Sequence, residues 1–242
     1  MISVICIYND KAQLERYLLR GLQQQDVEFD LITIDNTLGQ HTSAAPVLNA
    51  TGCSAQGDFL MFVHQDVELL SPSWLRDAEQ AVARLSKLGA AGVAGKTARG
   101  EMAASVLHGE PATHVDNQKP IKKPLKTQTL DGCLAITPAA VFKQVRFDED
   151  VCRGWHLFIA EYCLTLGSKG FRVYVLPHEV YHRSTGPADK RVYAQTVEAI
   201  IKKHGPYHRF IHTTVGTWPE HNHKLPMTTR IRNNIRALFT ER

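Results

Sequence analysis

The stretch Phe59–Trp74, FLMFVHQDVELLSPSW, is the part of the sequence that decides the fold. It begins with a run of consecutive apolar residues, which is typical of a strand buried on both faces of a parallel sheet. His64, Gln65 and Asp66 follow directly, where a surface turn more commonly carries Gly, Pro, Asn or Ser. Open α/β sheets bind ligands at the carboxyl ends of their strands. Since imidazole and carboxylate groups bind metals, the pattern predicts a ligand site at this strand end.

Composition limits the class of protein. The 242 residues fit one large domain, or one domain with an appendage, and the net charge of +4 is too weakly basic to predict a nucleic-acid partner. The five cysteines include no CxxC pair and are odd in number, which indicates free thiols in a reducing cytosol. No stretch approaches the ~20 apolar residues of a membrane span, so we expect a cytoplasmic protein, at most peripheral at the inner face of the membrane.

Strand and helix patterns alternate through the first hundred residues. This alternation predicts an α/β protein with a doubly wound, mostly parallel sheet flanked by helices. The segment 96–129 is polar and proline-containing, and we predict a long surface loop there. The predicted strands are 2–7, 29–36, 59–63, a short one within 90–95, 130–137 and 171–177. The predicted helices are 14–25, about 46–57, one capped by Ser71, a short one capped by Thr137, 155–170 and 189–205.

Two common nucleotide-binding motifs are missing from this pattern. A Rossmann dinucleotide site needs G-x-G-x-x-G after the first strand, whereas the turn here reads YNDKAQLE. A P-loop needs four residues between its first glycine and the GK[ST] sequence, and GVAGKT at 92–97 has only two. Neither motif therefore explains how this sheet would bind a phosphorylated ligand.

The ordered motifs resemble those of family 2 glycosyltransferases with the GT-A fold. The blocks YND, IDN, LNATGCSAQGDFLMFVHQDVEL, DGCLAITPAAVF…VRFDED and EYCLTLGSKGFRVYVLP…YH occur in the family's order over residues 2–184. The sequence is most similar to the subgroup in which HQD replaces the D-x-D metal motif. The resemblance implies a GT-A-like nucleotide-sugar-binding and catalytic domain over residues 1–189, followed by a C-terminal helical extension over 190–242. It also implies transfer of a sugar from a nucleotide-diphosphate sugar to a glycan, lipid-linked or small-molecule acceptor.

The resemblance assigns a nucleotide pocket and a metal site. Asp35 matches the carboxylate that hydrogen-bonds the base, although it could also cap the next turn. Asp66 matches the last carboxylate of D-x-D, and His182 matches a histidine that completes the metal site. His64 replaces the first Asp; it could bind the metal, phosphate or ribose, or only fill the strand end. The full set implied for the nucleotide is Tyr8, Asn9, Asp35, Asn49, Gly52 and Gln65.

A divalent cation has a physical reason to be in such a site. It can bridge the two phosphates of the leaving group and neutralise their charge as the glycosidic bond breaks. Mg²⁺ prefers oxygen ligands, whereas imidazole suits Mn²⁺ better. We therefore expect Mn²⁺ or Mg²⁺ as the cofactor.

The catalytic base is where the sequence departs from the family. Inverting members carry an acidic base at the start of a helix, and here that position is Ile159, which cannot accept a proton. Glu161 is our first candidate, but side chains two residues apart on a helix diverge by about 200°, so it serves only if 159–161 is extended. Asp131, in the acceptor-side loop, is the second candidate. Trp155 and His156 would contact the acceptor, unless they belong to the core.

Several alternatives remain open at the level of the sequence. The substitution at Ile159 would also suit a catalytically inactive nucleotide-sugar-binding or scaffold protein. A nucleotidyltransferase is less consistent, because its basic, glycine-rich loop after the first strand is missing. Residues 228–239, TTRIRNNIRALF, form a basic amphipathic pattern. This pattern predicts a helix that contacts an anionic membrane, packs on the domain, or packs on a second copy of the chain to form a homodimer.

Overall fold

A mixed sheet of seven strands forms the centre of the molecule in the computed structural model, which describes residues 1–115, 120–183 and 190–219. Five strands run in one direction, and β10 (Leu125–Thr127) and β12 (Leu134–Pro138) run antiparallel to their neighbours. The predicted α/β class with a mostly parallel sheet is therefore confirmed. The strand order is β10 (Leu125–Thr127), β13 (Arg172–Val175), β5 (Leu88–Gly92), β12 (Leu134–Pro138), β3 (Phe59–Val63), β1 (Ile2–Tyr8) and β2 (Asp30–Asp35).

Helices cover both faces of this sheet. On one face the core combines strand residues with Leu14, Leu18 and Leu22, whose i, i+4, i+8 spacing predicted their burial, and with Trp74. On the other face Phe142 and Phe158 pack against the same strands. The helices are α1 (Lys11–Leu14), a π-helical segment (Glu15–Leu19), α2 (Arg20–Gln23), α3 (Ala44–Ser54), α4 (Trp74–Ala83), α5 (Ala139–Gln144), α6 (Phe158–Ser168) and α7 (Lys190–His204).

The predicted long loop over 96–129 is wrong, because this segment contributes strands to three sheets. These strands are only two or three residues long, too short to show an alternating pattern. The strands β11 (Thr129–Leu130), β6 (Ala94–Lys96) and β7 (Met102–Ala104) form one small sheet. Another has the order β4 (Val67–Leu69), β14 (Val180–His182), β8 (Val106–His108) and β9 (Thr113–His114).

Several predicted helix starts also differ from the structure. The first helical segment begins at Lys11 instead of residue 14, and the N-cap of α4 is Ser73 instead of Ser71. Thr137 lies within β12, where its buried hydroxyl donates a hydrogen bond to the carbonyl of Gly89, and α5 begins after Pro138. The helix α6 begins at Phe158, three residues later than predicted, after Leu157 with a left-handed φ of 67°. The segment containing Trp155 and His156 is consequently a loop that leads into α6.

The described part of the C-terminal extension contains a hairpin as well as a helix. After α7 and a short 3₁₀ turn, β15 (Phe210–Thr213) pairs with β16 (Gly216–Pro219), whereas we expected a helical extension. One apolar cluster packs α7 and the hairpin against α6; its buried members are Leu164, Tyr193, Val197, Ile200, Ile201, Ile211 and Trp218. The domain boundary at residue 189 stays a prediction.

The predicted basic helix over 228–239 lies outside the described residues, as do its predicted contacts with a membrane or a second copy. Among the helices that the structure does describe, none has the length and apolar character needed to cross a bilayer.

Candidate functional site

Strand pairing brings His64, Asp66 and His182 together at the carboxyl edge of the large sheet. His64 directly follows β3, and its backbone N–H donates to the carbonyl of Cys133 at 2.9 Å. Asp66 directly precedes β4, which pairs antiparallel with β14 so that His182 stands opposite Val67. This pairing places a histidine from the far end of the sequence beside the HQD turn.

The three side chains form a set that could hold a metal ion. The Nε2 atom of His182 lies 3.5 Å from Oδ1 of Asp66, and the His64 and His182 rings are 5.6 Å apart at 60°. One ligand atom from each residue lies within 4.8 Å of the other two, and all three residues are partly buried. Two imidazoles and one carboxylate fit a divalent transition-metal ion, with coordination positions left for phosphate oxygens.

The electrostatics keep two of the three side chains in the form that binds a metal, His64 as a neutral imidazole and Asp66 as a carboxylate. Burial lowers the pKa of His64 to about 4, with a further contribution from His182, so its imidazole is neutral at pH 7. Burial by itself would raise the pKa of Asp66, but the hydrogen bond and charge of His182 outweigh it and bring the pKa to about 2. Burial lowers the pKa of His182, yet Asp66 raises it more, so the net pKa is above the ordinary value. Since a metal binds the neutral imidazole, a cation in this site would oppose protonation of His182.

Asp131 faces the same edge and is firmly oriented. Its Oδ1 accepts from the backbone N–H of Cys133 at 2.9 Å, and its Oδ2 accepts from the hydroxyl of Thr214 at 2.6 Å. Burial by itself raises the pKa of Asp131, but Thr214 and His182 outweigh it, so the pKa lies below its ordinary value. Asp131 is therefore a carboxylate at neutral pH, and its charge favours protonation of both His64 and His182.

The predicted nucleotide residues separate into two groups, of which the first lies at the site. Tyr8 and Asp35 stand opposite each other in the β1–β2 register, and the Tyr8 hydroxyl donates to Oδ2 of Asp35 at 2.9 Å. Gln65 holds the loop after β1 in place through its side-chain amide. Its Oε1 accepts from the backbone N–H groups of Asn9 and Asp10 at 2.9 and 3.0 Å, and its Nε2 donates to Oδ1 of Asn9. The HQD turn therefore orders the loop after β1.

The second group lies in the core. The buried Asn49 amide donates to the carbonyl of Phe147 and to Glu149, and its Oδ1 accepts from the Phe147 N–H. At Gly52 a Cβ atom would come within 2.6 Å of the Phe142 ring, so this glycine allows close helix packing. These contacts explain both residues without a nucleotide, and we leave them out of the proposed pocket.

Glu161 does not face the site, contrary to our first choice of base. Because α6 begins at Phe158, residues 159–161 are helical rather than extended, and Ile159 is buried in the core. The Oε1 atom of Glu161 accepts from Lys203 at 2.7 Å, Thr165 at 2.8 Å and His204 at 2.9 Å. The carboxylate therefore belongs to a buried ion cluster between α6 and α7.

The loop before α6 reaches the other side of the site. Trp155 lines one cavity together with His64, Gly132, Phe158 and apolar residues of β1, α3 and β3. His156 lies beside Tyr193 of α7, with 6.1 Å between ring centres. Sequence reasoning missed Thr214 and Tyr193, which no motif singles out, because they come from the C-terminal extension.

Comparisons with known proteins find solved structures with a similar fold. The structure is similar to that of the mannosyltransferase PcManGT from Pyrobaculum calidifontis in complex with GDP-Man and Mn²⁺. The TM-score is 0.59 at 14% identity, over 99% of this chain and 70% of that one. For S. aureus TarS 1-349 in complex with UDP-GlcNAc, the TM-score is 0.55 at 14% identity, over 98% of this chain and 71% of that one. For GalNAc-T7 with UDP, GalNAc and Mn²⁺, the TM-score is 0.58 at 12% identity, over 82% and 48%.

At these identities the solved structures show the fold, which is that of GT-A glycosyltransferases. No curated protein sequence matches the chain. The family model described as "Glycosyltransferase like family" matches residues 3–204, from β1 to the end of α7. The chain therefore belongs to this glycosyltransferase-like family.

Proposed function

We propose that the protein is a metal-dependent glycosyltransferase that moves a sugar from a nucleotide-diphosphate sugar to a glycan, lipid-linked or small-molecule acceptor. The observation that carries the proposal is the His64–Asp66–His182 cluster at the carboxyl edge of the sheet. The Tyr8–Asp35 pair at the neighbouring strand ends supports a nucleotide beside it. Structural neighbours that hold GDP-Man, UDP-GlcNAc or UDP give further support for such a donor.

The set of candidate metal ligands favours Mn²⁺ over Mg²⁺. Two of the three candidate ligands are imidazoles, whereas Mg²⁺ is mostly bound by oxygen. A bound cation would neutralise the charge that develops on the diphosphate leaving group. The strands β3, β4 and β14 would position the ligands of that cation. Gln65 orders the loop after β1.

Asp131 replaces Glu161 as the proposed base of an inverting reaction. The acceptor hydroxyl would attack the anomeric carbon as the bond from that carbon to the nucleoside diphosphate breaks, and the hydroxyl proton would pass to a carboxylate. Asp131 is ionised, is held by Thr214 and the Cys133 N–H, and interacts electrostatically with both histidines of the cluster. Trp155 and His156 then form the proposed acceptor-binding surface. We expect the transferred group to be a hexosyl group.

Isothermal titration with UDP, GDP and dTDP, each with and without Mn²⁺, tests the proposal. We expect one of them to bind, and to bind more tightly with Mn²⁺. Asp66→Asn should remove the effect of Mn²⁺, whereas Asp58→Asn should leave it intact, since Asp58 precedes the opposite end of β3 and its side chain pairs with the amino terminus. If none of the three nucleotides binds, the proposal is wrong.

One specific observation supports a second candidate, a nucleotide-sugar-binding protein without transfer activity. The position where the family pattern places its base is the buried Ile159, and Glu161 is held in the ion cluster. Incubation of the protein with nucleotide sugars of the base that binds, and with octyl glycosides as acceptors, separates the two candidates. Tight nucleotide binding without transfer or donor hydrolysis would favour the second.

A further inference from the structure

Tyr193 of α7 carries a buried hydroxyl group that has no hydrogen-bond partner in the described part of the chain. Only 5% of the residue is exposed, and its ring packs in the apolar cluster between α6, α7 and the hairpin. An unpaired buried polar group is costly, by about 1–3 kcal/mol, and is uncommon in native structures. A hydroxyl left in this state therefore needs an explanation.

The surroundings of Tyr193 point to the acceptor side of the site. Its ring lies 6.1 Å from that of His156, next in sequence to Trp155, which lines the cavity beside His64. The turn that brings Thr214 to Asp131 continues into Val215, which packs against the same apolar cluster. Burial and then the charge of Asp131 raise the pKa of Tyr193, so its phenol stays neutral and keeps its proton.

We propose that Tyr193 binds the acceptor, through a hydrogen bond between its hydroxyl and a hydroxyl group of a sugar or polyol. This inference rests on the proposed transferase function. A neutral phenol can donate and accept, as a sugar hydroxyl can. No internal hydrogen bond of Tyr193 must be broken when the acceptor binds, so the new bond is offset only by the bond to water that the sugar hydroxyl gives up. The C-terminal extension would thus take part in acceptor recognition.

The test is Tyr193→Phe, which keeps the ring and removes only the hydroxyl. Two measurements are made: the Tm of the ligand-free protein, and kcat/KM for the octyl glycoside that the parent uses best. We expect the Tm to stay the same or rise, because an unpaired polar group is removed. We expect kcat/KM for the acceptor to fall about tenfold, while the nucleotide Kd changes by less than about twofold.

Tyr162→Phe is the matched control. The Tyr162 hydroxyl is also buried, but it lies 3.1 Å from the hydroxyl of Thr137 in the core. Its removal should lower the Tm, because the partner hydroxyl loses a hydrogen bond, and should leave acceptor kcat/KM unchanged. Together the two variants distinguish a binding hydroxyl from a structural one.

Each of three different results would overturn the inference. A fall in Tm for Tyr193→Phe similar to that of Tyr162→Phe would show that the hydroxyl has a structural partner. An unchanged acceptor kcat/KM in Tyr193→Phe would show that it does not bind the acceptor. A parent protein that binds a nucleotide sugar but transfers to no octyl glycoside would overturn the inference and favour the binding protein without transfer activity, whereas failure to bind any of the three nucleotides would overturn the transferase proposal itself.

Discussion

Glu161 illustrates how much the role of a single residue depends on its partners. Its side chain is fully buried, and three groups from α6 and α7 donate to one of its oxygens. Lys203 is shared with Asp148 at 2.7 Å, so the cluster links α6, α7 and the segment after α5. Removing one member of such a cluster leaves its partners with unbalanced charge or unmet hydrogen bonds.

We therefore predict that Glu161→Gln is a stability variant. Hydrogen bonds to charged groups contribute about 1.5–3 kcal/mol, and we expect the free energy of unfolding to fall by about 2 kcal/mol. Transfer per folded molecule should stay near that of the parent. Chemical denaturation measures the first quantity and an assay at low temperature the second. Glu28→Gln, at an exposed position, is the control and should change neither.

The same residue predicts a pH dependence. Burial by itself raises the pKa of Glu161, but His204, Lys203 and Thr165 outweigh it, so the folded pKa lies below the ordinary value. A lowered folded pKa stabilises the protein fully above the unfolded pKa of about 4.3, and this stabilisation is lost as pH falls through the folded value. The difference in stability between parent and Glu161→Gln should shrink across that acidic range. A constant difference, or a large loss of transfer at neutral pH, would contradict a purely structural role for Glu161.

At the scale of secondary-structure elements, the HQD turn has two roles. Its histidine and aspartate lie in the candidate metal cluster, while Gln65 satisfies two backbone N–H groups of the loop between β1 and α1. Asp10 of that loop also caps α1 by accepting from the N–H of Gln13. The loop follows Tyr8, so its order affects the proposed nucleotide pocket directly.

We predict that Gln65→Ala weakens nucleotide binding about tenfold, because two N–H groups lose their acceptor and the loop after β1 loses order. Titration calorimetry with the nucleotide that binds the parent gives the change in Kd. Gln25→Ala is the matched control: Gln25 also braces two elements, accepting from the Leu75 N–H and donating to the carbonyls of Gly21 and Ser71. It should lower the Tm and leave nucleotide affinity unchanged; equal effects of both variants on affinity would refute the prediction.

At the scale of the whole molecule, the C-terminal extension completes the edge of the site. The hairpin β15–β16 sits beside β11, where Gln128 donates to the carbonyl of Phe210 and accepts from the N–H of His212. Its turn carries Thr214 to Asp131, a contact between residues 83 positions apart. The extension is therefore joined to the sheet through polar as well as apolar contacts.

Thr214→Val tests whether this contact orients the base. We expect transfer to fall about tenfold with nucleotide affinity unchanged, as for the loss of one hydrogen bond, while Asp131→Asn should cost about 10²-fold or more. Thr213→Val is the control in the same hairpin, because the Thr213 hydroxyl donates only to the carbonyl of Gly216 within the turn. Near-full transfer by Asp131→Asn would exclude Asp131 as the base, and near-full transfer by Thr214→Val alone would leave Thr214 a structural contact.

The sequence alone determined the features that depend on neighbouring residues. Apolar runs predicted β1, β2 and β3 to within two residues, and the spacing of Leu14, Leu18 and Leu22 predicted the buried face of the first helix. The polar residues after Val63 indicated a site at the end of β3. This could be predicted because the buried strand and the ligating side chains that follow it are adjacent in the sequence. The pairing of His64 and Asp66 with His182 came only from the resemblance to a family.

Only the tertiary structure decided which elements meet. Periodicity records which face of a helix or strand is buried, but not the element that buries it. Because α6 starts at Phe158, Glu161 lies in the ion cluster with Lys203 and His204 instead of at the candidate site. Strands of two or three residues in the predicted loop left no periodic signal. Thr214 and Tyr193 lie more than 60 positions after Asp131 in the sequence. They come close to Asp131 and His156 because α7 and the hairpin bury their apolar faces against α6, a contact that no local pattern encodes.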